Sequence, residues 1–79
     1  MESKPVTFAW KEQWELPDGT VHREDGPAIE WDDGGLEWYI NGEYHREDGP
    51  AVVYDNVYNG WYLNNKEYSY EEWLSIVRV

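Results

Sequence analysis

Two histidines, each followed directly by Arg-Glu-Asp, carry most of the chemical potential of this chain: His22-Arg23-Glu24-Asp25-Gly26-Pro27-Ala28 and His45-Arg46-Glu47-Asp48-Gly49-Pro50-Ala51. An imidazole beside carboxylates is the usual acid–base pair, and His with acidic neighbours is also a metal-ligand pattern. Catalysis requires convergence on one pocket, whereas the two copies stand 23 residues apart and are expected at equivalent places on successive structural units. There is no cysteine nucleophile, and Ser3, Ser69 and Ser75 fall outside the repeated segments. A site built on two His needs a third ligand, and Asp32-Asp33-Gly34-Gly35 lacks the alternating ligand run of a calcium loop. No catalytic residue, metal or cofactor is therefore expected. The motif reads better as architecture. Asp25-Gly26-Pro27 and Asp48-Gly49-Pro50 are turn formers, Arg23 and Arg46 are expected to be held by Glu24, Asp25, Glu47 or Asp48, and His22 and His45 to bond at strand ends.

The elements that position these residues follow from the repeat. The same shift of 23 maps Ile29 onto Val52, Trp31 onto Tyr54, Trp38 onto Trp61 and Tyr39-Ile40-Asn41-Gly42 onto Tyr62-Leu63-Asn64-Asn65. Upstream, Trp14-Glu15-Leu16-Pro17-Asp18-Gly19 resembles Trp38-Tyr39-Ile40-Asn41-Gly42 with one residue inserted. Asn41-Gly42, between Trp38-Tyr39-Ile40 and Glu43-Tyr44-His45, suits the two positive φ angles of a type I′ hairpin turn. Pro17-Asp18-Gly19 and Asn64-Asn65 take the equivalent place. A second connection, Asp32-Asp33-Gly34-Gly35, recurs as Asp55-Asn56-Val57-Tyr58-Asn59-Gly60.

The predicted fold is mainly β: one domain containing an antiparallel meander of about six short strands, with a short C-terminal helix as its cap. Residues 1–5 are expected to be a flexible lead, 6–68 the hairpin repeats and 69–79 the helix. Ser69 and Glu72 have the capping-box spacing, and Tyr70, Trp73, Leu74 and Val77 form one apolar stripe. Such a helix would cover the end of the array, leaving self-association into a homodimer through the other edge open.

Seventy-nine residues without cysteine support only a thin core, and six Trp with seven Tyr supply the mass that disulfides would otherwise replace. The absence of cysteine suits a reducing compartment, Met1-Glu2-Ser3-Lys4-Pro5 lacks a signal-peptide run, and no stretch has the length of a membrane span. A cytoplasmic location is expected, without membrane association. The 17 acidic against 6 basic side chains give a net charge of −11, which repels nucleic acid and anionic lipid and attracts basic protein surfaces. No direct nucleic-acid binding is expected.

Candidate partner-binding residues lie on the strands between the motif copies. Adjacent aromatics, Trp38-Tyr39 and Trp61-Tyr62, must point to opposite faces, so each pair is either covered by the terminal segments or exposed for binding. Exposed, they would form an apolar centre rimmed by Glu30, Asp32, Asp33, Glu37 and Glu43.

The stretch Trp38-Tyr39-Ile40-Asn41-Gly42-Glu43-Tyr44-His45-Arg46-Glu47-Asp48-Gly49-Pro50-Ala51 resembles the W-x-x-N-G-x-x-H-R-E-D-G-P-A repeats of bacteriophage and large-virus proteins, which in turn resemble MORN repeats. The resemblance covers roughly Trp14 to Tyr68. Arg-Glu-Asp-Gly-Pro stands where true MORN repeats have a His-Gly-x-Gly run, so their lipid role is not carried over. The resemblance implies an extended antiparallel sheet and no enzymatic activity. With the charge, it leads to the expectation of a phage-type accessory protein that inhibits a host nucleic-acid-handling or defence protein through an acidic, nucleic-acid-mimicking surface. The alternative is a MORN-like scaffold or oligomerisation module whose acidity serves solubility alone.

Overall fold

The computed structural model describes residues 2–55 and 57–78. Met1, Asn56 and Val79, expected in the flexible lead, the second connection and the helix, lie outside the described residues. The elements are β1 (Lys4–Thr7), β2 (Lys11–Glu15), β3 (Ile29–Trp31), β4 (Leu36–Glu37), β5 (Tyr39–Ile40), β6 (Glu43–Tyr44), β7 (Val52–Tyr54), β8 (Tyr58–Leu63), β9 (Lys66–Tyr68) and α1 (Tyr70–Val77). Seven of these strands form one antiparallel sheet in the order β1-β2-β3-β4-β7-β8-β9, and β5 pairs with β6 in a separate ribbon. The molecule is a slab of 36 × 29 × 17 Å.

The mainly β meander with its terminal helix is thus present, and its strands are shorter and more numerous than the hairpin pattern suggests. The motif loops are the reason. The Trp14 backbone N–H donates to the Ala28 carbonyl at 2.7 Å and the Trp14 carbonyl accepts the His22 N–H at 3.0 Å, so residues 23–27 leave the sheet between two backbone partners of one tryptophan. Trp38 repeats this with Ala51 at 2.7 Å and His45 at 3.2 Å, expelling residues 46–50. Each expelled loop interrupts the ladder, separating β5 and β6 from the main sheet. The chain re-enters at Ala28 and Ala51, both wholly buried, where only a small side chain fits beneath the loop. With Ile29, Val52, Leu63 and Trp73 they make up the buried apolar core.

Turn chemistry follows the expected pattern. Asn41 and Gly42 have φ of 52° and 81°, and Asn64 and Asn65 have 50° and 70°, the paired left-handed geometry of a type I′ turn. The two longer turns reach the same strand twist differently, by a tight turn closed at Gly19 and at Gly34, with φ of 90° and 95°.

The lead is not a flexible tail throughout. Lys4–Thr7 pairs with β2 in the register Lys4↔Glu15, Pro5↔Trp14. The open edge of β2 presents backbone donors and acceptors that another strand satisfies, and Lys and Pro suit the outermost strand. Helix α1 begins with the expected capping box: the Glu72 N–H donates to Ser69 Oγ at 3.2 Å, and the Ser69 N–H donates to Glu72 Oε1 at 3.1 Å. On the stripe, Trp73 is buried, Leu74 and Val77 are half-buried, and Tyr70 is exposed, with its ring 4.7 Å from that of Trp61. Trp73 lies 4.6 Å from Trp61 and donates its indole N–H to the Arg46 carbonyl at 2.9 Å. Among the described residues no helix is long and apolar enough to cross a membrane.

The helix therefore hangs on one indole. Trp73→Ala is expected to lower unfolding free energy by about 3–5 kcal/mol. Trp73→Phe, which keeps a ring and loses the N–H donor, should cost less, with about 1 kcal/mol of the loss due to the hydrogen bond. Urea denaturation of both variants checks the ordering.

Candidate functional site

Each motif histidine is spent on the next repeat. His22 Nδ1 accepts the Asn41 N–H at 2.9 Å, and His45 Nδ1 accepts the Asn64 N–H at 3.0 Å. The other nitrogen, Nε2, faces Glu24 at 3.1 Å and Glu47 at 2.8 Å. A ring whose Nδ1 accepts must carry its proton on Nε2, so each is the neutral Nε2–H tautomer with both nitrogens engaged. Neither offers a free lone pair for proton transfer or a metal. Among the described residues no three His, Asp or Glu side chains converge to hold an ion. The first turn has no preceding histidine, and Pro17 stands where the later turns have Asn41 and Asn64. It has no N–H to satisfy.

The arginines serve their own unit. Arg23 lies 4.0 Å from the ring centroid of Trp14 and Arg46 3.8 Å from that of Trp38. Their Nε donors reach Asp25 at 2.9 Å and Asp48 at 2.8 Å, and their Nη1 donors reach the Pro27 and Pro50 carbonyls at 3.2 and 3.0 Å. Of the carboxylates proposed for the arginines, the aspartates take them and the glutamates take the histidines; Glu30 adds a longer contact to Arg23 at 3.5 Å. The Arg46 guanidinium holds the Asp48 carboxyl below the usual carboxylate range. The motif glycine is explained by contact: a Cβ on Gly49 would stand 2.7 Å from Arg46 Cζ, and one on Gly26 3.1 Å from Arg23 Cζ.

The opposite face is organised around Glu37, which was expected on an exposed acidic rim and is instead 4% exposed. Its Oε1 accepts the hydroxyls of Tyr39 at 2.8 Å and Tyr44 at 3.2 Å, and its Oε2 accepts the Trp31 indole N–H at 2.7 Å and the Tyr54 hydroxyl. A buried carboxylate persists only with such a full set of donors. Tyr39, Tyr44 and Tyr62 pack in a row of tilted rings, with centroids 4.6 and 4.8 Å apart. In the following unit the place of Glu37 falls to Gly60, where a Cβ would meet Tyr62 at 2.8 Å.

The proposed apolar centre with an acidic rim is accordingly not assembled from the residues named for it. Trp38 lies under Arg46, Trp61 under Tyr70 and Trp73, and Tyr39 and Tyr62 are half-buried in the tyrosine row. Asp32, Asp33 and Glu43 are exposed, and Glu30 is half-buried beside Arg23. Two other surfaces emerge. The motif loops flank an open groove of about 900 Å³ lined in part by Leu16, Trp38 and Ile40. At one end of the sheet, the loops before β2 and between β3 and β4 meet where the Asp32 N–H donates to the Trp10 carbonyl; Trp10 is 58% exposed there, with Phe8, 36% exposed, 6.3 Å from it. Sequence reasoning missed Phe8 and Trp10 because they precede the repeat. No family model, curated protein or solved structure matches the chain.

Two predictions follow from the Glu37 cluster. Glu37→Gln leaves one oxygen for donors that now occupy two, and should destabilise the fold by about 1–3 kcal/mol in urea denaturation. The second concerns alkali. Burial foremost, then the hydrogen bond to Glu37, raises Tyr54 above its ordinary value; burial likewise dominates for Tyr39 and Tyr44, and the Glu67 hydrogen bond pushes Tyr58 up to about 12. The unfolded chain then loses these protons first, near 10. Stability should be fully present below pH about 10 and fall as pH rises beyond it, seen as a urea midpoint that declines from about pH 10 to about pH 12.

Proposed function

We propose that the protein is a non-catalytic binding module that engages the basic surface of a host-cell protein, of the kind that otherwise accepts nucleic acid, and thereby inhibits it in the host cytoplasm. The observation that carries this is how the charge is partitioned. Arg23 and Arg46 are consumed within their own loops, while Asp32, Glu43, Asp55 and Glu71 are exposed, with no basic side chain in contact among the described residues. The net charge of −11 thus rests largely on exposed carboxylates. Such a field accelerates encounter with a cationic groove and discriminates against anionic partners.

The motif supports a binding role over a catalytic one, since both nitrogens of both histidines are occupied by structural bonds. The stacking-scaffold alternative finds less support. Pro17 at one end and Trp73 at the other replace the groups that join successive repeats.

The test is affinity capture from the host with the intact chain as bait, followed by titration of the purified pair with salt and with double-stranded DNA. A cationic partner whose affinity falls at least about tenfold between low and high ionic strength, and which DNA displaces, is the expected result. A partner bound equally at all salt concentrations and indifferent to DNA overturns it.

A further inference from the structure

We infer that the exposed Trp10, with Asp32 beside it, is an arginine-receiving site, and that the partner docks guanidinium groups there; this rests on the cationic-partner role proposed above. The protein provides its own pattern for such a site. Twice in the repeats an arginine lies over an indole while a carboxylate holds its Nε: Arg23 on Trp14 with Asp25 at 2.9 Å, and Arg46 on Trp38 with Asp48 at 2.8 Å. At the turn end of the sheet an indole and an exposed aspartate are again neighbours, here through a backbone hydrogen bond and with no arginine over the ring among the described residues. Trp10 is 58% exposed, and its carbonyl accepts the Asp32 N–H at 3.0 Å, which fixes the two residues side by side. The cation nearby, Lys11, is directed elsewhere: its Nζ lies 5.0 and 5.1 Å from the ring centroids of Phe8 and Trp31 and donates to Gln13 at 2.9 Å.

Phe8 lies 6.3 Å from Trp10, and the Tyr54 ring packs so closely on Gly35 that a Cβ there would stand 2.9 Å away. Asp33 accepts the Gly35 N–H at 3.0 Å, which locks the turn carrying both aspartates. Exposed aromatic rings beside carboxylates favour a planar guanidinium over an ammonium, because the former stacks on the ring while its edge hydrogen-bonds the acid. An indole at this exposure also anchors an interface well. The motif groove is a weaker candidate, since its Asp25 and Asp48 are already occupied by Arg23 and Arg46.

The experiment titrates the isotope-labelled chain at low salt with an oligo-arginine peptide and with an oligo-lysine peptide of equal length, following amide and indole resonances. The oligo-arginine peptide is expected to shift the Trp10 indole and the Asp32 and Asp33 amides, and to bind at least about threefold tighter than oligo-lysine. Trp10→Ala and Asp32→Asn should each weaken oligo-arginine binding by about fivefold, Trp10→Phe less, and the remote Glu71→Gln by under about twofold. If Glu71→Gln weakens binding as much as Asp32→Asn and Trp10→Ala has no effect, or if the two peptides bind alike, the arginine site is wrong while a diffuse cationic interaction stands. If neither peptide binds at low salt, the cationic-partner role fails with it. Trp10 is largely exposed, so these variants are expected to keep the native amide spectrum.

Discussion

In each repeat a guanidinium lies over an indole, Arg23 over Trp14 and Arg46 over Trp38, and the residues around it accommodate this contact. To bring the arginine over the sheet, the chain must leave the ladder directly after the histidine and return at the alanine. The aspartate two residues on orients the guanidinium edge, the glycine leaves room for it, and the proline carbonyl takes its remaining donor. An arginine held over a ring and hydrogen-bonded at such a half-buried place is worth more than a surface ion pair, because the aromatic ring and the carboxylate act on the same group at once. The strand breaks, the isolated β5–β6 ribbon and the burial of Ala28 and Ala51 are consequences of accommodating it.

The histidine turns this local clamp into an array. By accepting a backbone N–H from the next hairpin turn, His22 and His45 join each unit to its successor, and the Arg23 and Arg46 amides reach the next strand at Tyr39 and Tyr62. Stability in such a molecule resides in neighbour-to-neighbour interfaces more than in a central core, which fits a slab 17 Å thick. The ends then need separate solutions. Proline removes the unsatisfied donor at one, and at the other the indole of Trp73 takes the place over Trp61 that an arginine has over Trp14 and Trp38.

Acidic residues consequently serve in distinct ways. Glu24, Asp25, Glu47 and Asp48 are tied to their own loops. Glu37 is enclosed by hydroxyl and indole donors and orders the tyrosine face. Most of the others are exposed, and of these Asp32 is held beside Trp10, an indole outside the repeat, by its backbone hydrogen bond to the Trp10 carbonyl. The arginine site proposed at the turn end would use the same kinds of group, aromatic ring and carboxylate, that the repeats use internally.

Much of the fold was legible in the residues alone because turn geometry and periodicity are local. Asn41-Gly42 and Asn64-Asn65 tolerate positive φ wherever they stand, Ser69 and Glu72 satisfy a helix start within one turn, and a shift of 23 residues can only mean units of equal construction. Absence of cysteine and the −11 charge bounded the chemistry in the same way. What the spacing could not convey was which carboxylate would be buried and which tryptophan left bare. Glu37 and Glu43 look alike in an alternating strand, and Trp10, Trp38 and Trp61 are equal in hydrophobicity. Their fates depend on what the loops and helix lay over them: the donors of Trp31, Tyr39, Tyr44 and Tyr54 gather on Glu37, Arg46 covers Trp38, Trp73 covers Trp61, and Trp10 stays 58% exposed. Burial is a property of neighbours distant in sequence, and only the assembled sheet brings them together.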